Sequence, residues 1–248
     1  MIDMLAVPGK ICRIVRRAGL RGAARVVRIN LVLLFDDALS RMLDFIFNVD
    51  TRGVIQVADL DVAAETRDHG VWYEPTPWFA VSTILRKCKL KRDLKHYVFV
   101  DFGSGKGRAL VEAARFPFGA VTGVEFSSKL CAIAEANLRS VRFLRRRAAQ
   151  ASVRCLDASL FDLPPSPCIL YFYNPFDAEI MRMIANRVEA SYAANPRDII
   201  AAFYARNQDS TFRSLSFMTE ADHGRIAHTW SGRQREYSIL RSHVACSR

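Results

Sequence analysis

The sequence predicts an α/β protein built around a doubly wound, mostly parallel sheet. Three observations predict it: short apolar runs alternate with helical stretches, a glycine-rich turn joins one such run to the helix after it, and carboxylates stand where successive runs end.

In chain order, the opening stretch is basic and helical. Lys10, Arg13, Arg16, Arg17, Arg21, Arg25 and Arg28 recur at spacings of three and four with almost no acid among them, and Ile11, Ile14, Val15, Val26 and Val27 fall elsewhere around the axis. Three readings of this stretch stay open: a weak contact for an anionic membrane or polyanion, an organellar transit peptide, or a packed helix with its charged face in water. From 38 to 47 an apolar helical pattern of Leu39, Met42, Leu43 and Ile46 continues this appendage. Polar residues around 59–70 form a connection. The prolines of Tyr73-Glu74-Pro75-Thr76-Pro77 then forbid a helix interior and impose a stiff, extended segment. Residues 1–69 thus read as a basic helical extension and linker, and 70–248 as the main domain.

A helical pattern resumes at 78–90. Val98-Phe99-Val100 is a continuous apolar run, as a parallel strand covered on both faces requires, and glycines and a helical stretch at 108–116 follow it. Residues 120–124 read as strand, 127–139 as a helix with serine at its start, 152–156 and 168–173 as strands, 177–194 as helix and 198–204 as strand. The stretches 226–230 and 236–240, around Ser231-Gly232, read as two strands joined by a short turn, so the sheet closes on a hairpin-like end.

The 248 residues suffice for one large domain, and half of them are hydrophobic with a quarter charged, the profile of a globular chain. The apolar stretch at 29–35 is interrupted by Asn30 and followed by Asp36 and Asp37, so it cannot span a bilayer. Six cysteines without a C-x-x-C pair argue for free thiols in a reducing, cytoplasmic setting, against a disulfide framework or a zinc site. His69, His96, His223, His228 and His243 show no ligand spacing, so no metal is expected. A net charge of +11 suggests an acidic partner without choosing among nucleic acid, membrane and protein. Trp72, Trp78 and Trp230 either line a substrate mouth or pack at a domain edge.

The sharpest motif is Val100-Asp101-Phe102-Gly103-Ser104-Gly105-Lys106-Gly107, set between strand and helix. Glycines at 103, 105 and 107 let the backbone turn tightly and approach a ligand, and free amides at the helix start favour negative charge. A nucleotidase phosphate loop needs Ser or Thr after its lysine, and Lys106 is followed by Gly107. A dinucleotide loop wants glycine or alanine where Arg108 stands. What remains is G-x-G-x-G, with Glu125 ending the next strand about twenty residues on, where a carboxylate can take both hydroxyls of a ribose. Taken singly, Asp101 and Asp157 have bland alternatives as loop-bracing or surface acids.

With Asp101, Gly103, Gly105 and Gly107 in this order, the sequence resembles the class I S-adenosylmethionine-dependent methyltransferases, bacterial type of unassigned substrate. The resemblance covers roughly residues 70–240. It implies a seven-stranded Rossmann-like sheet with S-adenosyl-L-methionine as cofactor, Glu125 on the ribose, Phe126 flanking the adenine and Asp157 addressing the adenine amino group. Tyr73-Glu74-Pro75-Thr76 has counterparts in such bacterial enzymes and a looser one in the non-SET histone lysine methyltransferases, where the segment caps the cofactor. Glu74 and Thr76 would accordingly contact the methionine moiety, although a rigid linker reads equally well. The fourth strand ends in Tyr171-Phe172-Tyr173-Asn174-Pro175-Phe176, where adenine and cytosine N-methyltransferases carry a polar residue, two prolines and an aromatic. This chain has one proline there, a departure from nucleobase methylation, and a simple Asn-Pro turn is the alternative.

Transfer from a sulfonium is an in-line displacement from an activated donor, so catalysis rests on alignment, for which oriented groups supply up to roughly 7–11 kcal/mol. Asn174, Tyr173 and Glu74 are the residues expected to orient an acceptor amine or take its proton. The expectation is a methyltransferase acting on a nitrogen or oxygen of a protein side chain or small molecule. The alternatives are a non-catalytic cofactor-binding adaptor docked through its basic start and, disfavoured by Arg108, an NAD-dependent oxidoreductase.

Overall fold

The computed structural model describes residues 7–53, 74–90, 93–144, 146–173, 176–204, 209–227 and 234–243. The expected boundary at Gly70, Trp72, Trp230 and the turn at Ser231-Gly232 lie outside the described residues.

Helix α1 (Val7–Phe47) runs unbroken for 41 residues and stops at Asn48, whose left-handed backbone (φ 50) lets the Val49 amide return to the Asp44 carbonyl at 2.9 Å. Its last turns pack by Leu43 and Phe47. Met42 and Ile46, grouped with Leu43 in the apolar pattern expected from sequence, face outward at 50% and 51% exposure. Apolar residues occupy two faces of this helix, and periodicity alone does not say which one meets the core.

The remaining helices are α2 (Ala80–Lys87), α3 (Arg108–Ala113), α4 (Ser128–Leu144), α5 (Ala178–Ala194) and α6 (Ser210–Arg213). The strands are β1 (Val98–Phe102), β2 (Ala120–Glu125), β3 (Gln150–Cys155), β4 (Cys168–Phe172), β5 (Ile199–Tyr204), β6 (Met218–Ala227) and β7 (Gln234–Ser242). They form one seven-stranded sheet in the order β3-β2-β1-β4-β5-β7-β6. β1 to β5 pair in parallel and β7 runs antiparallel between β5 and β6, so this is the mostly parallel Rossmann-like methyltransferase sheet that the resemblance implies.

β4 and β5 are buried at every position because helices cover both faces of the sheet. On one face Phe99, Ile169, Tyr171 and Ile200 pack with Val81 and Ile84 of α2 and Leu110 of α3. On the other, Phe102, Phe172 and Phe203 share one register row across β1, β4 and β5. They stack at centroid distances of 5.0 and 4.8 Å, with Ile184 and Val188 of α5 in the same core. Each such buried aromatic contributes roughly 1.5–3 kcal/mol. β6 begins at Met218, eight positions before the stretch read from sequence, because its first half is polar and lies at the sheet edge.

Candidate functional site

The glycine loop leaves β1 at its carboxyl end and enters α3. Gly103, Gly105 and Gly107 adopt φ of 73°, 53° and 80°. At Gly107 the requirement is double: the backbone is left-handed, and an added Cβ would stand 3.0 Å from the Ala134 Cβ of α4. The loop is threaded under β2, since the Gly103 and Ser104 amides both donate to the Val124 carbonyl at 2.9 and 3.0 Å.

Glu125 ends β2 and is buried. Its Oε2 accepts the Gly105 amide at 2.9 Å and its Oε1 accepts the Ser127 amide at 3.0 Å. Burial pushes its carboxyl above the ordinary range, while these amide hydrogen bonds pull it back. The strand-end carboxylate and the glycine loop therefore form one bonded unit. Asp101 lies beneath it, in register with Gly123 on β2 and Tyr171 on β4. Its burial, with the Glu125 charge nearby as a lesser cause, holds its carboxyl well above the usual range. The buried Ser104 Oγ has no hydrogen-bond partner among the described residues.

Phe126 follows Glu125 and is half-buried, and Asp157 stands just past β3, where the Leu156 amide donates to the Glu125 carbonyl at 3.0 Å. The Asp157 Oδ1 accepts the Ser159 amide at 2.7 Å, so this carboxylate also shapes its own turn.

A second cluster stands beyond the ends of β4 and β5. The Tyr173 hydroxyl donates to Glu74 Oε1 at 3.3 Å, and Arg235 of β7 donates to the same oxygen at 3.0 Å. The Tyr173 ring lies against Tyr204 at 5.7 Å and beneath the Arg235 guanidinium at 5.5 Å. Burial raises the Tyr173 phenol, and burial likewise takes Tyr204 up to about 12, so both remain protonated donors. Of the three residues expected to handle the acceptor, Tyr173 and Glu74 are brought together, and Asn174 lies outside the described residues.

Several residues around the loop escape the sequence reading. Arg108, read as an obstruction to a dinucleotide, turns toward α1 instead. It donates to Thr51 Oγ1 at 2.6 Å, Ser40 Oγ at 2.9 Å and the Thr76 carbonyl at 3.4 Å, and pairs with Asp44 at 3.5 Å. Thr76 is thereby held through its backbone. Lys106 reaches Asp50 at 3.1 Å and the Arg52 carbonyl at 2.8 Å, and Asn137 of α4 joins the Asp50 and Lys106 carbonyls. Trp78 packs on Phe47 and donates to Asp44 Oδ1 at 3.3 Å, which makes it a core residue of this junction. One signal was available for this network: Asp44 sits among apolar helix positions, where a carboxylate needs a cationic partner. Among the described residues no group of three or more His, Cys, Asp or Glu side chains could hold a metal ion.

No protein-family model matches the chain, and no curated protein matches its sequence. Solved structures similar to it include TrmN from Thermus thermophilus, at 14% identity and a TM-score of 0.51 over 66% of this chain and 48% of that one. An RNA methyltransferase from Salinibacter ruber, solved with S-adenosyl-L-homocysteine, aligns at 16% identity and a TM-score of 0.48 over 71% of this chain and 96% of that one. A SAM-dependent methyltransferase from Methanosarcina mazei aligns at 13% identity and 0.49 over 65% and 98%. At these identities the likeness is one of fold.

Proposed function

We propose that the chain is an S-adenosylmethionine-dependent methyltransferase acting on a nitrogen or oxygen of a protein side chain or small molecule. The observation that carries this reading is the bond between the Glu125 carboxylate and the Gly105 amide, which joins the acid at the tip of β2 to the left-handed glycines after β1. That junction lies at the carboxyl edge of an open α/β sheet, where such folds bind ligands. The donor set fits a nucleoside with a charged tail: a carboxylate suited to paired hydroxyls, backbone approachable at Gly103 and Gly105, and the buried Ser104 hydroxyl lacking a partner among the described residues.

Asp101, Gly103, Ser104, Gly105, Gly107, Glu125, Phe126, Asp157 and Thr76 would hold the cofactor, which when bound supplies a methyl group already activated on a sulfonium. The chain's own task is then alignment. Tyr173, kept protonated by burial, orients rather than deprotonates, and Glu74 is the carboxylate able to accept a hydrogen bond from an amine or hydroxyl acceptor. Arg235 holds Glu74 in place through an ion pair at 3.0 Å. Asn174 completes the acceptor side in this proposal. The setting is proposed to be cytoplasmic.

The test is transfer of label from a methyl-labelled donor to a cell lysate by the purified chain. Label in the protein or small-molecule fraction supports the reading. Label in nucleic acid overturns the acceptor class, and donor binding without any transfer favours the adaptor.

A further inference from the structure

The sequence of helix α1 is basic along its first half, and an exposed apolar stripe follows along its second. Seven basic residues and no acid lie between Lys10 and Arg28. Beyond them Leu31, Leu34, Phe35, Met42, Phe45 and Ile46 are all exposed, Phe45 at 85%, Leu34 at 65% and Leu31 at 62%. Their spacing of three and four places them on one stripe, about 23 Å long at the helical rise. Arg21, Arg28, Phe35 and Met42 follow at intervals of seven and are all exposed, so the arginines prolong the line of the stripe. The opposite face is fixed: Leu43 and Phe47 are buried, and Asp44 is held by Arg108. Scattered exposed apolar residues need no explanation, but a continuous stripe does.

A second copy of this chain fits the stripe poorly. Parallel pairing sets two cationic runs side by side, and full antiparallel overlap lays the partner's basic half on the stripe. A nucleic acid would satisfy the arginines and leave the apolar residues in water. An anionic lipid surface satisfies both halves along one line, headgroups meeting the basic run and the acyl boundary receiving the stripe. Among the described residues no helix is long and apolar enough to cross a membrane.

We propose that α1 docks in the plane of an anionic lipid bilayer, with Arg21 and Arg28 on the headgroups and Leu31 to Ile46 entering the interface. This inference stands on α1 alone and is independent of methyl transfer.

The test is flotation of the full chain with vesicles of phosphatidylcholine alone or with about a third phosphatidylglycerol. Binding should be at least about tenfold stronger to the anionic vesicles and fall with added salt. Leu34→Asp with Phe45→Asp, and separately Arg21→Gln with Arg28→Gln, should each reduce partitioning by about tenfold. Because these side chains are exposed, circular dichroism and melting should be unchanged in both variants. Four results overturn the proposal: equal binding to neutral vesicles, no binding to either kind, full binding by the Leu34→Asp, Phe45→Asp variant, or a solution dimer that this variant splits in place of vesicle binding. RNA retention that displaces the vesicles also overturns it and assigns the basic run to a polyanion.

Discussion

The Arg108 guanidinium lies 3.5 Å from the Asp44 carboxylate with both side chains 5% exposed, which ties the first residue of the helix after the glycine loop to the last turn of α1. The loop is therefore braced from two sides, by Glu125 through an amide and by α1 through a buried ion pair. Removing one member of a buried pair strands the other charge, so Asp44→Ala and Arg108→Ala should each cost about 3 kcal/mol of folding stability. The double variant should lose clearly less than the sum, a coupling that urea denaturation of all four proteins reads directly.

Gly107→Ala should combine strain with a steric clash. A side chain at φ 80 costs on the order of 1–3 kcal/mol, and its Cβ would press on Ala134 at 3.0 Å from that Cβ and 3.3 Å from the Cα. Denaturation should show this loss, and calorimetry should show weaker binding of S-adenosylhomocysteine because the loop must shift.

Asp101 gives a pH prediction. Its carboxyl is raised in the folded chain, so the stability it contributes is complete below its unfolded value of 3.8 and declines as pH rises toward the elevated folded value. Asn has no such titration. The melting temperature of Asp101→Asn relative to the wild type should therefore climb from pH 4 upward; a constant difference from pH 4 to pH 8 would contradict a raised Asp101 carboxyl.

On the acceptor side, Tyr173→Phe removes the hydroxyl that meets Glu74 while keeping the ring on Tyr204. Turnover should fall by about tenfold or more with donor affinity unchanged, and Glu74→Gln should behave alike. Intact turnover in Asn174→Ala, with donor bound normally, would remove Asn174 from the proposed acceptor site.

Much of this is local and so could be read in the chain. Gly103, Gly105 and Gly107 lie within one turn, and the strands around them are apolar runs buried on both faces, so pattern and glycine chemistry coincide. Arg108 and Arg235 were illegible because their partners Asp44 and Glu74 lie 64 and 161 residues away and only the fold brings them near. α1 was half legible: its helical period was plain, but with apolar residues on two faces nothing local distinguished the packed Leu43 and Phe47 from the exposed Met42 and Ile46.

The central claim is that Glu125 and the glycine loop form a nucleoside site, and calorimetric titration of S-adenosylhomocysteine and of NAD tests it most directly. The account predicts saturable binding of S-adenosylhomocysteine, none of NAD, and a loss of about a hundredfold in Glu125→Ala as two charge-assisted hydrogen bonds to the sugar disappear, with circular dichroism checking that this variant stays folded. Preference for NAD, or S-adenosylhomocysteine affinity indifferent to residue 125, would contradict it.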